Sequence, residues 1–122
     1  MKAVVPALAA LALVACGSGR DLALETQHWG DTEISVRIRP APLRPGRAEF
    51  LVIATDANRA PASDLVISLR THPQDPWEQA MQDGSMGVFR KSLVLLSGQQ
   101  TLSLQLRRRL EETVLEFPVT VQ

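Results

Sequence analysis

Two histidines (His28 and His72), one cysteine (Cys16) and two methionines beyond the initiator (Met81 and Met86) are the most chemically versatile side chains of this chain. There is no tyrosine. Imidazole and thioether together suit copper, so His28, His72, Met81 and Met86 make one candidate ligand set for a copper-handling domain. Their spacing argues the other way, because the methionines stand five apart and no His-x-His or Met-x-x-Met pair occurs. Nucleophilic catalysis needs a Ser or Cys beside a base that a third group orients. Neither histidine has that company: His28 precedes Trp29, His72 precedes Pro73, and there is no Gly-x-Ser-x-Gly elbow. Gly84, Gly87 and Gly98 lack the Gly-Lys-Ser/Thr ending of a phosphate loop. The expectation is a noncatalytic domain with no small-molecule substrate. Basic and acidic residues number 13 each, which leaves no positive excess to hold a nucleic acid by counterion release.

Cys16 is a different matter. Met1-Lys2 places one positive charge before an apolar run over residues 3–15, interrupted only by Pro6. As a helix at about 1.5 Å per residue this run reaches roughly 20 Å, short of a hydrocarbon core about 30 Å thick. Without one polar side chain it offers no solvent face, and it reads as an export signal over residues 1–15. Its end, Leu13-Val14-Ala15-Cys16, resembles the lipobox of bacterial lipoproteins at all four positions, and Gly17-Ser18-Gly19 follows as a flexible tether within residues 16–22. The resemblance implies a diacylglyceryl thioether on Cys16, cleavage before it and acylation of the new amine. Several acyl chains anchor stably where one is marginal. Gly17 rather than Asp after the cysteine is similar to the pattern of outer-membrane lipoproteins, implying a lipid-anchored envelope protein facing the periplasm. Lipidation consumes the one thiol, so no disulfide is available and the fold must rest on its core.

The elements that would position the remaining residues lie in residues 23–122. Segments 23–27, 33–39, 47–55, 64–71, 87–96 and 101–107, with Leu115, Phe117 and Val119 as a last run, are seven strand candidates. In 33–39, for example, Ile34, Val36 and Ile38 alternate with charged or hydroxyl residues, the period of a half-buried strand. Phe50-Leu51-Val52-Ile53-Ala54 is continuous and predicts a strand covered on both faces. Pro40, Pro42 and Pro45-Gly46 disfavour both helix and central strand. The closely spaced turn signals predict an all-β, immunoglobulin-like sandwich of about seven strands, with an open small barrel as the alternative.

One segment breaks the alternation. Asp75-Pro76-Trp77-Glu78 has the form of a capping box with Pro at the first helical position, and Asp83-Gly84 is a stop. This predicts a short crossover helix over 76–82, with Trp77, Ala80 and Met81 on one packed face. The crossover and the turn after it present Trp77, Asp83, Gly84, Ser85 and Met86 as a candidate interaction site, since a tryptophan buries much area at low entropy cost. Arg107-Arg108-Arg109 at a hairpin tip offers charge to anionic head groups, but Glu111 and Glu112 follow at once and a solvated tip is the plainer reading.

From Arg39 onward the chain resembles the YtkA-like/FixH-like group of small exported or membrane-tethered bacterial sandwiches. The resemblance rests on Leu43-Arg44-Pro45-Gly46 before the Phe50-Leu51-Val52-Ile53 strand, and on Thr55-Asp56-Ala57-Asn58 with Pro61 and Leu65-Val66-Ile67. It continues through Met81, Gly84, Met86-Gly87 and Phe89 to Leu115-Glu116-Phe117-Pro118-Val119. It implies an envelope domain used in respiratory assembly or metal handling, without enzymatic activity. The Met-rich crossover and His-Met cluster of some relatives are missing here. The expectation is therefore a noncatalytic, membrane-anchored lipoprotein that binds or scaffolds another envelope protein, the alternative being a periplasmic copper-binding domain.

Overall fold

A computed structural model describes residues 20–84 and 86–122; Cys16 and Ser85 fall outside them. Among the described residues ten strands build two sheets: β1 (Leu22–Ala23), β2 (Gln27–Trp29), β3 (Thr32–Arg39), β4 (Gly46–Thr55), β5 (Val66–Arg70), β6 (Glu78–Gln79), β7 (Met81–Gln82), β8 (Val88–Leu95), β9 (Gly98–Arg108) and β10 (Glu111–Val121). The first sheet has the order β1-β3-β4-β8-β7, with β2 also pairing β3, and the second has the order β10-β9-β5-β6. Every pairing is antiparallel. The sheets stay separate and do not close into a barrel.

The alternation read from the sequence sets what faces inward. Ile34, Val36 and Ile38 of β3, Phe50 and Val52 of β4 and Phe89, Leu93 and Leu95 of β8 meet Ile67 and Leu69 of β5, Leu102, Leu104 and Leu106 of β9 and Phe117 and Val119 of β10. The weak first segment is two short strands, β1 and β2, on the same partner β3. Pro118 lies in β10, the outermost strand of its sheet. Alternate residues of an antiparallel strand turn both backbone groups to one side. The Glu116 carbonyl accepts from Gln27 Nε2 (2.7 Å) and the Gln122 N–H donates to the Leu43 carbonyl (3.2 Å), so this set, Pro118 included, faces away from β9. The missing N–H of Pro118 therefore costs the ladder nothing.

Two expectations are corrected. The described residues contain no helix, so there is no crossover helix over 76–82 and none that crosses a membrane. Residues 78–82 instead run extended from one sheet to the other: β6 pairs with β5, Ala80 N–H donates to the Ile67 carbonyl (2.8 Å), and β7 pairs with β8. Seven residues make little more than one costly helix nucleus, whereas extended pairing satisfies the edges of β5 and β8. Both acids of the supposed capping box have other partners: Asp75 faces His72 Nδ1 at 3.4 Å and Glu78 faces Lys91 Nζ at 3.4 Å. The count of about seven strands becomes ten, because this segment and the split first strand supply short edge pieces that alternation over two or three residues does not reveal.

The second correction concerns β4. Among the described residues no further layer covers its outer face; Leu51 is only 6% exposed there because it stands in register between Arg37 of β3 and Arg90 of β8. The apolar stems of long basic side chains shield such a residue while their heads stay in water.

Candidate functional site

The four candidate copper ligands are not brought together. His28 is on β2 and Met81 on β7, at opposite margins of the first sheet. Four interstrand steps of about 4.8 Å put them roughly 19 Å apart. His72 follows β5 in the other sheet, and Met86 is in the turn before β8. His28 Nε2 faces Glu33 at 3.4 Å, and His72 Nδ1 lies 3.2 Å from Thr71 Oγ1. Among the described residues no group of three or more His, Cys, Asp or Glu is arranged to hold a metal ion.

Of the crossover residues, Met81, Asp83, Gly84 and Met86 lie along the margin formed by β7 and β8, but not in the helical arrangement, while Trp77 precedes β6 in the other sheet and Ser85 lies outside the described residues. Extended backbone sends neighbours to opposite faces, so Ala80 is buried while Met81 is 74% exposed and has no packing role. Met86 is 66% exposed. Trp77 is half-buried and stays outside the core cluster, where Trp29 packs instead. Its ring carries the Arg70 guanidinium at 4.1 Å. A stacked, partly solvated pair of this kind contributes about 0.5–1 kcal/mol. Trp77→Ala is accordingly expected to cost about 1–2 kcal/mol in denaturant titration, not the 3–5 kcal/mol or so of a core tryptophan. A larger loss would place the ring in the core.

Asp83 is not a free surface charge. Its N–H donates to the Val88 carbonyl (2.8 Å) and its Oδ2 accepts from Arg90 Nη2 (2.7 Å). Arg90 Nη1 in turn donates to Glu49 Oε2 (2.8 Å), and Glu49 Oε1 faces Arg39 Nε at 3.6 Å, which lies 3.4 Å from Asp21 Oδ1. Acid and base thus alternate across the outer face of the first sheet, from the residue before β1 to the residue after β7. The hydrogen bonds from Arg90 to Asp83 and then to Glu49 hold its guanidinium above the ordinary arginine range, against an opposing effect of desolvation. Surface pairs contribute little singly; what this ladder does is fix the Asp83–Gly84 turn and roof Leu51. Asp83→Arg would set two guanidiniums side by side, so its melting temperature is expected to fall below that of Asp83→Asn. Equal melting of the two would show that the pair contributes nothing.

Sequence reasoning missed Glu49, Arg90, Arg47 and Arg70, since only register shows which outward charges meet. The basic tip is also divided by the fold. Arg108 turns inward, with Nη2 donating to buried Thr32 Oγ1 (2.9 Å), Nε 3.3 Å from Asp64 and Cζ 5.3 Å from the centre of the Trp29 ring. Arg107 and Arg109 remain outside with Leu110, which is fully exposed. Beside the β7–β8 margin lies a cleft of about 300 Å³ between the sheets, lined by Arg47, Arg70, Thr71, Glu78, Ser92 and Val94 among others. Compared with known proteins, the chain matches no family model, no curated protein and no solved structure.

Proposed function

We propose that this chain is a lipid-anchored bacterial envelope protein, held through Cys16 to a membrane facing the periplasm, whose β7–β8 margin binds another envelope protein without catalysing a reaction. The exposure of Met81 and Met86 beside the Asp83–Arg90 pair carries this reading. Flexible, polarisable methionines are favoured at protein-binding surfaces, and apolar groups rimmed by fixed charges make the usual pattern of such a patch. The copper alternative gains no support from the dispersed His28, His72, Met81 and Met86. An assembly role fits the envelope setting that the YtkA-like/FixH-like resemblance implies.

The position of the chain's entry supports the anchoring half. Ala41 N–H donates to the Arg20 carbonyl (3.2 Å), so the chain enters at the end that holds the Pro40 to Pro45 turn and the start of β9. The Arg109–Leu110 tip is at the other end of β9, about 35 Å away at strand rise. Four residues from Cys16 to Arg20 reach roughly 14 Å at most. An acylated Cys16 therefore holds the proline-rich end near the lipid and the arginine tip away from head groups, leaving the β7–β8 margin upright and accessible.

A photo-reactive amino acid replacing Met81 in intact cells is expected to give a discrete adduct. The same group at Thr101, exposed on the outer face of the second sheet, should give none. Cys16→Ala should abolish lipid labelling, shift the protein from the membrane fraction and weaken the Met81 adduct. Equal adducts from both positions, or none from Met81, would defeat the partner reading, and unchanged lipid labelling would defeat the anchor.

A further inference from the structure

The outer edge of β8 is closed everywhere except at two residues. The bond from Asp83 N–H to the Val88 carbonyl and the pairing of Met81 with Arg90 show that the even-numbered residues of β8 turn their backbone groups away from β4. Val88 and Arg90 are met there by β7 and the turn that follows it. Just past the strand, Gln100 closes Leu96 with its side chain: Oε1 accepts from Leu96 N–H (3.2 Å) and Nε2 donates to the Leu96 carbonyl. Between them stand Ser92 and Val94, both exposed, and among the described residues no group bonds their edge-facing N–H and C=O. The gap arises because the chain joins this sheet only after Ala80, the residues before it pairing as β6 with β5 in the other sheet.

The chemistry beside the gap is selective. Arg47 stands opposite Val94 in register and has no ion pair among the described residues. Arg70 lies over the Trp77 ring and its Nη1 donates to the Asp75 carbonyl (3.4 Å), while its buried Nε lacks a hydrogen-bond partner among the described residues. The carboxylates of the same cleft are engaged, Asp75 with His72 and Glu78 with Lys91. What remains is two strand-edge donors, two acceptors and two guanidiniums next to a cleft of about 300 Å³.

We propose that the edge at Ser92 and Val94 takes an extended acidic peptide segment of the partner as an added strand. Main-chain bonds to Ser92 and Val94 give this mode its affinity, and alternate side chains give it specificity. Acidic side chains on one face of the added strand meet Arg47 or Arg70. A second copy of this chain is a poorer occupant, because pairing the same edge with itself brings arginines together, and like charges across a ladder destabilise it. This inference rests on the proposed partner-binding role of the β7–β8 margin.

The test uses the full-length chain in detergent and a fluorescein-labelled peptide alternating glutamate and valine. Fluorescence anisotropy should show saturable binding, weakened about tenfold or more by glutamine in place of glutamate and by Arg47→Glu. Methylating the backbone nitrogens of the glutamates or of the valines should abolish binding in one of the two peptides and spare the other, since only alternate N–H groups face the edge. These peptide variants leave the protein's folding untouched. No binding, indifference to glutamine or to both methylations, or dimerisation through this edge overturns the proposal. Adducts at Met81 without peptide binding would overturn it while leaving the partner reading in place.

Discussion

Gly87→Ala is expected to destabilise the domain by about 2–5 kcal/mol, the sum of a left-handed backbone penalty and overpacking. Gly87 has φ +79°. A Cβ there would lie 2.8 Å from the Ala54 carbonyl oxygen and 2.9 Å from the Pro61 Cβ. Neither neighbour is free to move: Ala54 N–H donates to the Gly87 carbonyl (2.8 Å), and the Ala54 carbonyl accepts from Ala62 N–H (2.9 Å). The methyl group would thus push apart the point where the β4–β5 connection folds onto the start of β8. Gly98→Ala is the control, because Gly98 has φ +97° but open space around the added Cβ. It bears conformational strain without a clash. Denaturant titration should show Gly87→Ala losing clearly more stability than Gly98→Ala, and equal losses would show that the contact with Ala54 and Pro61 relaxes at no cost.

Phe50→Ala is expected to cost about 3–5 kcal/mol, as for other buried phenylalanines. Its ring is fully buried on the inner face of β4, the strand flanked by β3 and β8. Truncation leaves a void that neither sheet can close without breaking its ladder. Against a total of about 5–15 kcal/mol for such domains, the loss is a large share, and the melting temperature should drop by about 20 °C. With no disulfide among the described residues to limit the unfolded chain, nothing else compensates. A drop of only a few degrees would mean that the sandwich repacks around the hole. The contrast with Trp77→Ala is informative: the larger aromatic is the less important one for folding, because it stacks on Arg70 outside the sheets.

The strands were legible where alternation ran for five or more residues. Glu33 to Arg39 is the plainest case, since its apolar residues could only be buried together. The candidate site was legible in part. The sequence marked Asp83, Gly84 and Met86 as lying beyond a crossover, and they do border the β7–β8 margin. It misjudged Met81 and Trp77, because a capping-box pattern and a helical spacing describe a local preference over one turn. Here that preference competes with two open sheet edges, and pairing with β5 and β8 satisfies more backbone groups.

By itself the sequence determined the all-β character and the inward set of residues, because side-chain direction in a strand follows the local period of two. The export-signal pattern and the lipobox resemblance at Cys16 are equally local. Tertiary structure alone decided which outward charges meet and where an edge stays open. Arg90 finds Glu49 and Asp83, and His28 is parted from Met81, through strand order and register across residues far apart in the chain. Among the described residues Ser92 and Val94 are left unpaired because the chain before Ala80 lies in the other sheet, a choice set by the hydrogen-bonding needs of two edges together.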